Sequence, residues 1–358
     1  MLRNTDKTTN EQLLHRKFAN LPRSPSTTMT SSRTPITPAT PASPLSKDSQ
    51  QQNQHPPSVT ILSRPYLTSS QIFALQKRTR GSAISEQKET QIRLQACAWI
   101  AAIGEHMHFP IRTIGTGMML YHRFHLFYPI TDFPFMDMAI TCLFVASKMQ
   151  DTIKKLRDIL IVGYQIRHPN GPDINPESQT MEDQRKRVIG LERMVLEIVC
   201  FDFRGRHAQG YLIKLTRYYR LNQEVARTAW KISVDCYRTF IPLKHTPQTI
   251  ALSCLEFSGR LSGQRLSLQP ESFCSKRVYV EAVIQDLLEL YIHFRLQTIM
   301  GNVHSEDDFM AIGIAINRES TSKSYSEQPN DDIPIPPLSS GDRGIVRYVL
   351  DRSRMEDE

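Results

Sequence analysis

A chain of 358 residues has room for two cores of ordinary size, and its 40% hydrophobic and 22% charged residues exclude a wholly disordered protein. The net charge of +8 lies at one end: residues 1–85 hold 11 Lys or Arg against 3 Asp or Glu, whereas residues 86–358 hold 33 of each. A core without net charge argues against direct nucleic-acid binding. No apolar stretch is long enough for a membrane span, and the start Met1-Leu2-Arg3-Asn4-Thr5-Asp6 has no signal segment, so a soluble intracellular protein is expected.

Residues 1–60 are expected to form a disordered basic tail, because from residue 20 onward Ser, Thr, Pro and Gln crowd out the large apolar side chains whose burial would offset ordering. Its Ser/Thr-Pro steps at Ser24, Thr34, Thr37, Thr40 and Ser43 suit proline-directed kinases, or the tail is a plain spacer. Residues 61–85 read as an extension with a short helix, for which Thr68, Ser69 or Ser70 is the candidate cap.

Between residues 86 and 300 apolar residues recur at helical spacing. Ile111, Ile114, Met118, Tyr121 and Phe124 or His125 form one stripe; Leu191, Val195 and Ile198 a second; Val225, Ala229, Ile232, Cys236 and Phe240 a third. Breaks fall at Phe109-Pro110, Phe133-Pro134, His168-Pro169-Asn170-Gly171-Pro172 and Thr246-Pro247, with Thr246 a candidate N-cap before a first-turn proline. Residues 301–358 lack sustained periodicity and are expected to be a mostly disordered tail, with Gly344 to Leu350 as one short element.

Residues 139–148 and 251–260 form an internal repeat. Ala139-Ile140-Thr141-Cys142-Leu143 aligns with Ala251-Leu252-Ser253-Cys254-Leu255, and Ala146-Ser147-Lys148 with Ser258-Gly259-Arg260. Small residues on one face of each copy let neighbouring helices approach a central one closely. The six cysteines contain no C-x-x-C pair, and Cys97, Cys142, Cys236 and Cys254 lie within apolar helical patterns as small hydrophobes. His122 and His125 share a helix face, but no third ligand of fitting spacing accompanies them, so neither a metal nor a cofactor is expected. There is no P-loop, and no nucleophile with a local base, so the residues mark no enzyme.

Four motifs carry a family resemblance. Arg93 followed by Trp99 in Ile92-Arg93-Leu94-Gln95-Ala96-Cys97-Ala98-Trp99 resembles the first helix of a cyclin box, and Tyr121-His122-Arg123-Phe124 the second. Leu143-Phe144-Val145-Ala146-Ser147-Lys148 with Lys154-Lys155-Leu156 is similar to the third, and Leu191 to Phe203 to the fifth. His122, where cell-cycle cyclins usually carry aspartate, and the two lysines are similar to the transcription-type cyclins T and K, and cyclin L shares most of these motifs. The Ser/Thr-Pro tail and short C-terminus look most like the fungal beta subunits of the kinase that modifies the C-terminal domain of RNA polymerase II.

The resemblance implies an all-α fold of two tandem five-helix cyclin boxes, 86–203 and 204–300, between disordered tails. It also implies a non-catalytic subunit that binds and activates a cyclin-dependent kinase acting on RNA polymerase II in the nucleus during transcription elongation, with room for a third subunit. Kinase-binding residues would be Lys148, Met149, Glu192, Leu196 and Phe201, while Arg93, Trp99 and His122 would be structural. Lys154, Lys155 and Arg157, with Arg185-Lys186-Arg187 across the intervening loop, offer a patch for an acidic partner, although a merely solvated face is the stronger reading of the sequence. At the family's docking patch for Arg-x-Leu peptides this chain carries Gln95 and Ala96 beside Trp99, which implies weak docking. The alternative is a TFIIB-like basal transcription factor on the same repeat, against which stand the neutral core and the lack of any cysteine before Cys97 to build a zinc ribbon.

Overall fold

A computed structural model describes residues 58–63, 66–172, 174–203, 205, 207–322 and 345–350. The five Ser/Thr-Pro steps lie outside these residues. Among the described residues the chain is helical except for one antiparallel ribbon, β1 (Ser58–Ser63) with β2 (Ile345–Leu350), in register from Ser58 opposite Leu350 to Ser63 opposite Ile345. The expected short element near residue 344 is therefore a strand, and the first residues of its partner strand, Ser58 to Thr60, fall inside the expected N-terminal tail.

Helix α1 (Ser69–Arg80) begins in a capping box: the Gln71 amide donates to the Thr68 hydroxyl while the Thr68 amide donates to the Gln71 side chain. Leu67, Ile72 and Leu75 fasten this extension to Leu126 and Leu243, one from each repeat.

The first repeat comprises α2 (Glu86–His106), α3 (Ile111–Phe127), α4 (Phe135–Met149), α5 (Leu156–Arg167) and α6 (Gln179–Ile198). Ser85 caps α2, whose first-turn Glu86 and Glu89 suit the positive end of the helix dipole. Helix α4 is buried along nearly its whole length, from Asp137 to Ser147. Gly117 on α3 makes the close approach possible, since a Cβ there would stand 3.3 Å from the Leu143 Cα. The three predicted stripes are core for most of their length: Ile114, Met118, Tyr121, Phe124 and His125 are buried, as are Leu191, Val195, Ile198, Val225, Ala229, Ile232 and Cys236, whereas Ile111 is half-buried and Phe240, also half-buried, lies beyond the helix that ends at Asp235.

The second repeat comprises α7 (Ala208–Tyr218), α8 (Gln223–Asp235), the short α9 (Ile241–Lys244), α10 (Pro247–Leu261), α11 (Arg277–His293) and α12 (Glu306–Ser322). Its offset from the first is constant at 112 residues over the central helices. The end of α2 at His106 maps to the end of α7 at Tyr218, Ile111 to Gln223, Phe135 to Pro247 and Met149 to Leu261. Thr246 is the residue before α10, but its hydroxyl contacts Thr249 Oγ1 at 2.9 Å and caps no backbone amide.

The second box does not end at residue 300. Helix α12 is its fifth helix when the one-turn α9 is set aside, with Phe309, Ile312 and Ile316 buried in the second core and Phe309 stacked on Tyr291 at 4.6 Å between centroids. Its apolar residues form one short continuous run, Phe309 to Ile316, between Glu306-Asp307-Asp308 and the polar residues from Asn317 on, and this run shows no amphipathic stripe in the sequence. The turn before it is organised by buried Asp235, whose carboxylate accepts from the Ile299 and Met300 amides at 2.9 and 3.0 Å and from the Tyr291 hydroxyl at 3.2 Å.

Candidate functional site

Arg93, expected to be structural, donates from Nε and Nη2 to Glu89 Oε1 at 3.0 and 2.6 Å, and from Nη1 and Nη2 to the carbonyls of His122 and His125. It thus pins α2 to α3. His122 goes further than that expectation: its Nε2 donates to the Tyr237 carbonyl at 3.2 Å, so it joins the two repeats. Burial, followed by the nearby Arg93 guanidinium, lowers the His122 pKa to about 3, and the same two causes lower His125 to about 3. Neither imidazole pairs with a third ligand, and among the described residues no three His, Cys, Asp or Glu side chains gather as a metal site. Trp99 packs α2 onto α5, its Cζ2 lying 3.7 Å from where a Cβ on Gly163 would stand.

Lys148 and Glu192 come together at the edge of the first repeat. Lys148 Nζ donates to Glu192 Oε1 at 2.6 Å and lies 4.1 Å from the centre of the Phe144 ring. The side chains remain 42% and 16% exposed. A pair this open adds only about 0–1 kcal/mol to folding, so stability alone gives little reason for it.

Along α6, Ile189, Glu192 and Leu196 follow at intervals of three and four and share one face. Beyond the helix the backbone turns sharply, with φ of 53° at Cys200 and 57° at Phe201. Side chains other than glycine pay for this left-handed region with about 1–2 kcal/mol each. The turn is held by amide bonds from Cys200 to Glu197, from Phe201 to Leu196 and from Asp202 to Val199. It leaves Phe201 60% and Phe203 47% exposed, with their rings edge to face at 6.3 Å. Met149 and Leu196 are half-buried against the first core.

Sequence reasoning missed Phe203 and the exposed Ile189 and Ile153. The signal for Ile189 was present, as an apolar residue three before Glu192 and off the core stripe. Lys154, Lys155 and Arg157 are exposed. The wider basic patch is reduced, because Arg187 pairs with Asp137 at 3.0 Å and Arg185 with Glu182 at 3.1 Å.

The second repeat contains a counterpart of the Lys148–Glu192 pair. Arg260 lies 112 residues after Lys148, and Glu319 is the fourteenth residue of α12 as Glu192 is of α6. Arg260 Nη2 reaches Glu319 Oε2 at 2.8 Å, and Arg260 also binds Glu256 while Arg265 also binds Glu319. The Arg260 hydrogen bond, with help from Arg265, holds Glu319 down to about 2.

Two tandem helical repeats about one junction, each with a buried central helix, are the architecture of the double cyclin-box class. The chain belongs to the cyclin family: the family described as "Cyclin, N-terminal domain" matches residues 65–204. It is 35% identical to "CTD kinase subunit beta" of Schizosaccharomyces pombe over 75% of this chain and 79% of that one. It is 26% identical to human "Cyclin-K" over 57% of this chain but only 36% of the relative. Among solved structures, a chain of the yeast RNA Pol II CTD kinase CTDK-1 complex superposes with a TM-score of 0.64 at 25% identity, covering 71% of this chain and 84% of that chain.

Proposed function

We propose that this protein is the regulatory cyclin of a kinase that phosphorylates the C-terminal domain of RNA polymerase II, acting in the nucleus on transcription elongation and catalysing nothing itself. The observation that carries the reading is the exposed Lys148–Glu192 pair beside Leu196 and Phe201, in a chain that spans 79% of a relative called CTD kinase subunit beta.

Activation follows from differential binding. A kinase with two positions of a regulatory helix is shifted toward the position the cyclin holds better, and charged hydrogen bonds of about 1.5–3 kcal/mol each suffice for a shift of tenfold or more. Lys148 offers donors and Glu192 acceptors to backbone groups of one kinase segment. Phe201, Phe203 and Ile189 supply apolar contact around them, and Met149 and Leu196 complete the surface. Lys154, Lys155 and Arg157 remain available to an acidic segment of the kinase or of a third subunit.

The test is to purify the tagged full-length protein, identify the co-purifying kinase and assay a heptad-repeat peptide. Absence of a co-purifying cyclin-dependent kinase would overturn the reading.

A further inference from the structure

A narrow crevice of about 90 Å³ opens between the repeats, with Met119, Arg123, Met149, Asp202, His207 and His245 among its walls. Arg123 is 3% exposed, and its Nε and Nη2 meet no hydrogen-bond acceptor. It is the only arginine among the described residues with two buried guanidinium nitrogens left unpaired. Burial lowers its pKa to about 10, opposed by Cys200 and Asp202, so it is a cation at neutral pH. The two histidines of the wall do not share that charge, since burial above all lowers each to about 4.

The unpaired nitrogens form one edge of the guanidinium. The same edge of Arg93 grips Glu89, and that of Arg260 grips Glu256. An Nε–Nη2 edge matches a carboxylate, which accepts both N–H groups in the guanidinium plane. We propose that Arg123 receives the carboxylate of an aspartate or glutamate carried by the kinase subunit.

This rests on the docking face proposed above, with which the crevice is continuous. Met149 follows Lys148, while Val199 and Asp202 flank the turn that presents Phe201. A single carboxylate fits better than a phosphate dianion, because the crevice is small and Asp202 already places a negative charge in its wall. The buried edge becomes reachable when the lining gives way, and Met119 and Met149 are unbranched chains that repack easily.

The experiment uses the full-length protein and its co-purified kinase, with Arg123→Met, Arg123→Lys and the Lys148→Ala/Glu192→Ala double variant. Arg123→Met is expected to leave the melting temperature of the free chain unchanged or raised, because a buried cation with two unsatisfied N–H groups is removed, and to weaken kinase binding at least tenfold. In the Arg123→Lys complex, a carbodiimide should join the introduced amine to a kinase Asp or Glu, located by mass spectrometry. Wild-type kinase affinity in Arg123→Met overturns the proposal, as does a cross-link only within this chain or to a third subunit, or none at all. The cross-link decides the matter even if Arg123→Met folds poorly. If the double variant loses the kinase while Arg123→Met keeps it, the docking face stands and this inference alone fails. If both bind like the parent, the docking face itself is wrong.

Discussion

His122 Nε2 and the carbonyl oxygen of Tyr237 stand 3.2 Å apart, and this single bond fastens α3 of the first repeat to the turn that closes α8 of the second. Tyr237 in turn lies over Gly115, where a Cβ would stand 3.0 Å from its ring. The aspartate usual at the His122 position in cell-cycle cyclins could not donate to that carbonyl when ionised, whereas a neutral imidazole does.

That arrangement predicts acid lability with a defined sign. The folded-state pKa values of about 3 for His122 and His125 and about 4 for His207 and His245 lie below the unfolded value near 6.5. Protonation therefore favours the unfolded chain: the stability from these groups is complete above pH 6.5 and is lost as pH falls toward 4. Each contributes a slope of up to about 1.4 kcal/mol per pH unit. Thermal melts between pH 7 and 4.5 should show a steady fall, made shallower by one proton in His122→Asn. A flat profile would contradict the burial of these rings.

Replacing Lys148 or Glu192 singly by alanine should weaken kinase binding by about 1–3 kcal/mol, and the double change need not sum, because both address one kinase segment. Folding should change by no more than about 1 kcal/mol, since the pair is exposed. Titration of the kinase with helicity checked by circular dichroism tests this; full activation by a folded double variant would sink the proposed surface.

Phe309→Ala should destabilise the chain by about 3–5 kcal/mol, as for other buried phenylalanines. Truncation before residue 305 should abolish cooperative unfolding. Denaturant melts measure both, and a truncated chain as stable as the parent would show that α12 is dispensable to the second core.

Peptides carrying Arg-x-Leu should bind weakly or not at all. Gln95 is exposed and polar and Ala96 is wholly buried, so Trp99 has no apolar neighbours at those two places to complete a docking groove. Micromolar binding in a fluorescence polarisation assay, abolished by Trp99→Ala, would contradict this.

The sequence disclosed the first repeat well because its stripes are uninterrupted and its central helix is almost wholly apolar. It also disclosed the internal repeat, since Ala146-Ser147-Lys148 and Ser258-Gly259-Arg260 stand at the same offset as the helix ends. It failed at α12, where the apolar run from Phe309 to Ile316 is short and shows no polar face, and the second core runs past its expected limit. Lys148 and Glu192 were named from a family likeness, and their pairing at 2.6 Å was invisible because 44 residues separate them. Arg123 lies within Tyr121-His122-Arg123-Phe124, yet no pattern of neighbours in the sequence reveals that two of its buried nitrogens meet no acceptor. The exposed Phe203 was likewise hidden, because only the left-handed turn at Cys200 and Phe201 turns both rings outward.

The twin ion pairs carry a consequence for stoichiometry. Duplication of one five-helix unit would by itself yield two equivalent grips and a scaffold able to hold two kinases. Here the Lys148 copy is left open, whereas the Arg260 copy is saturated by Glu256 and Arg265, each supplying a charge that the first repeat lacks at its pair. The molecule is thereby one-handed, with one duplicate open at the surface and the other locked into its own architecture, and on the function proposed above a complex with a single catalytic subunit is the expected outcome.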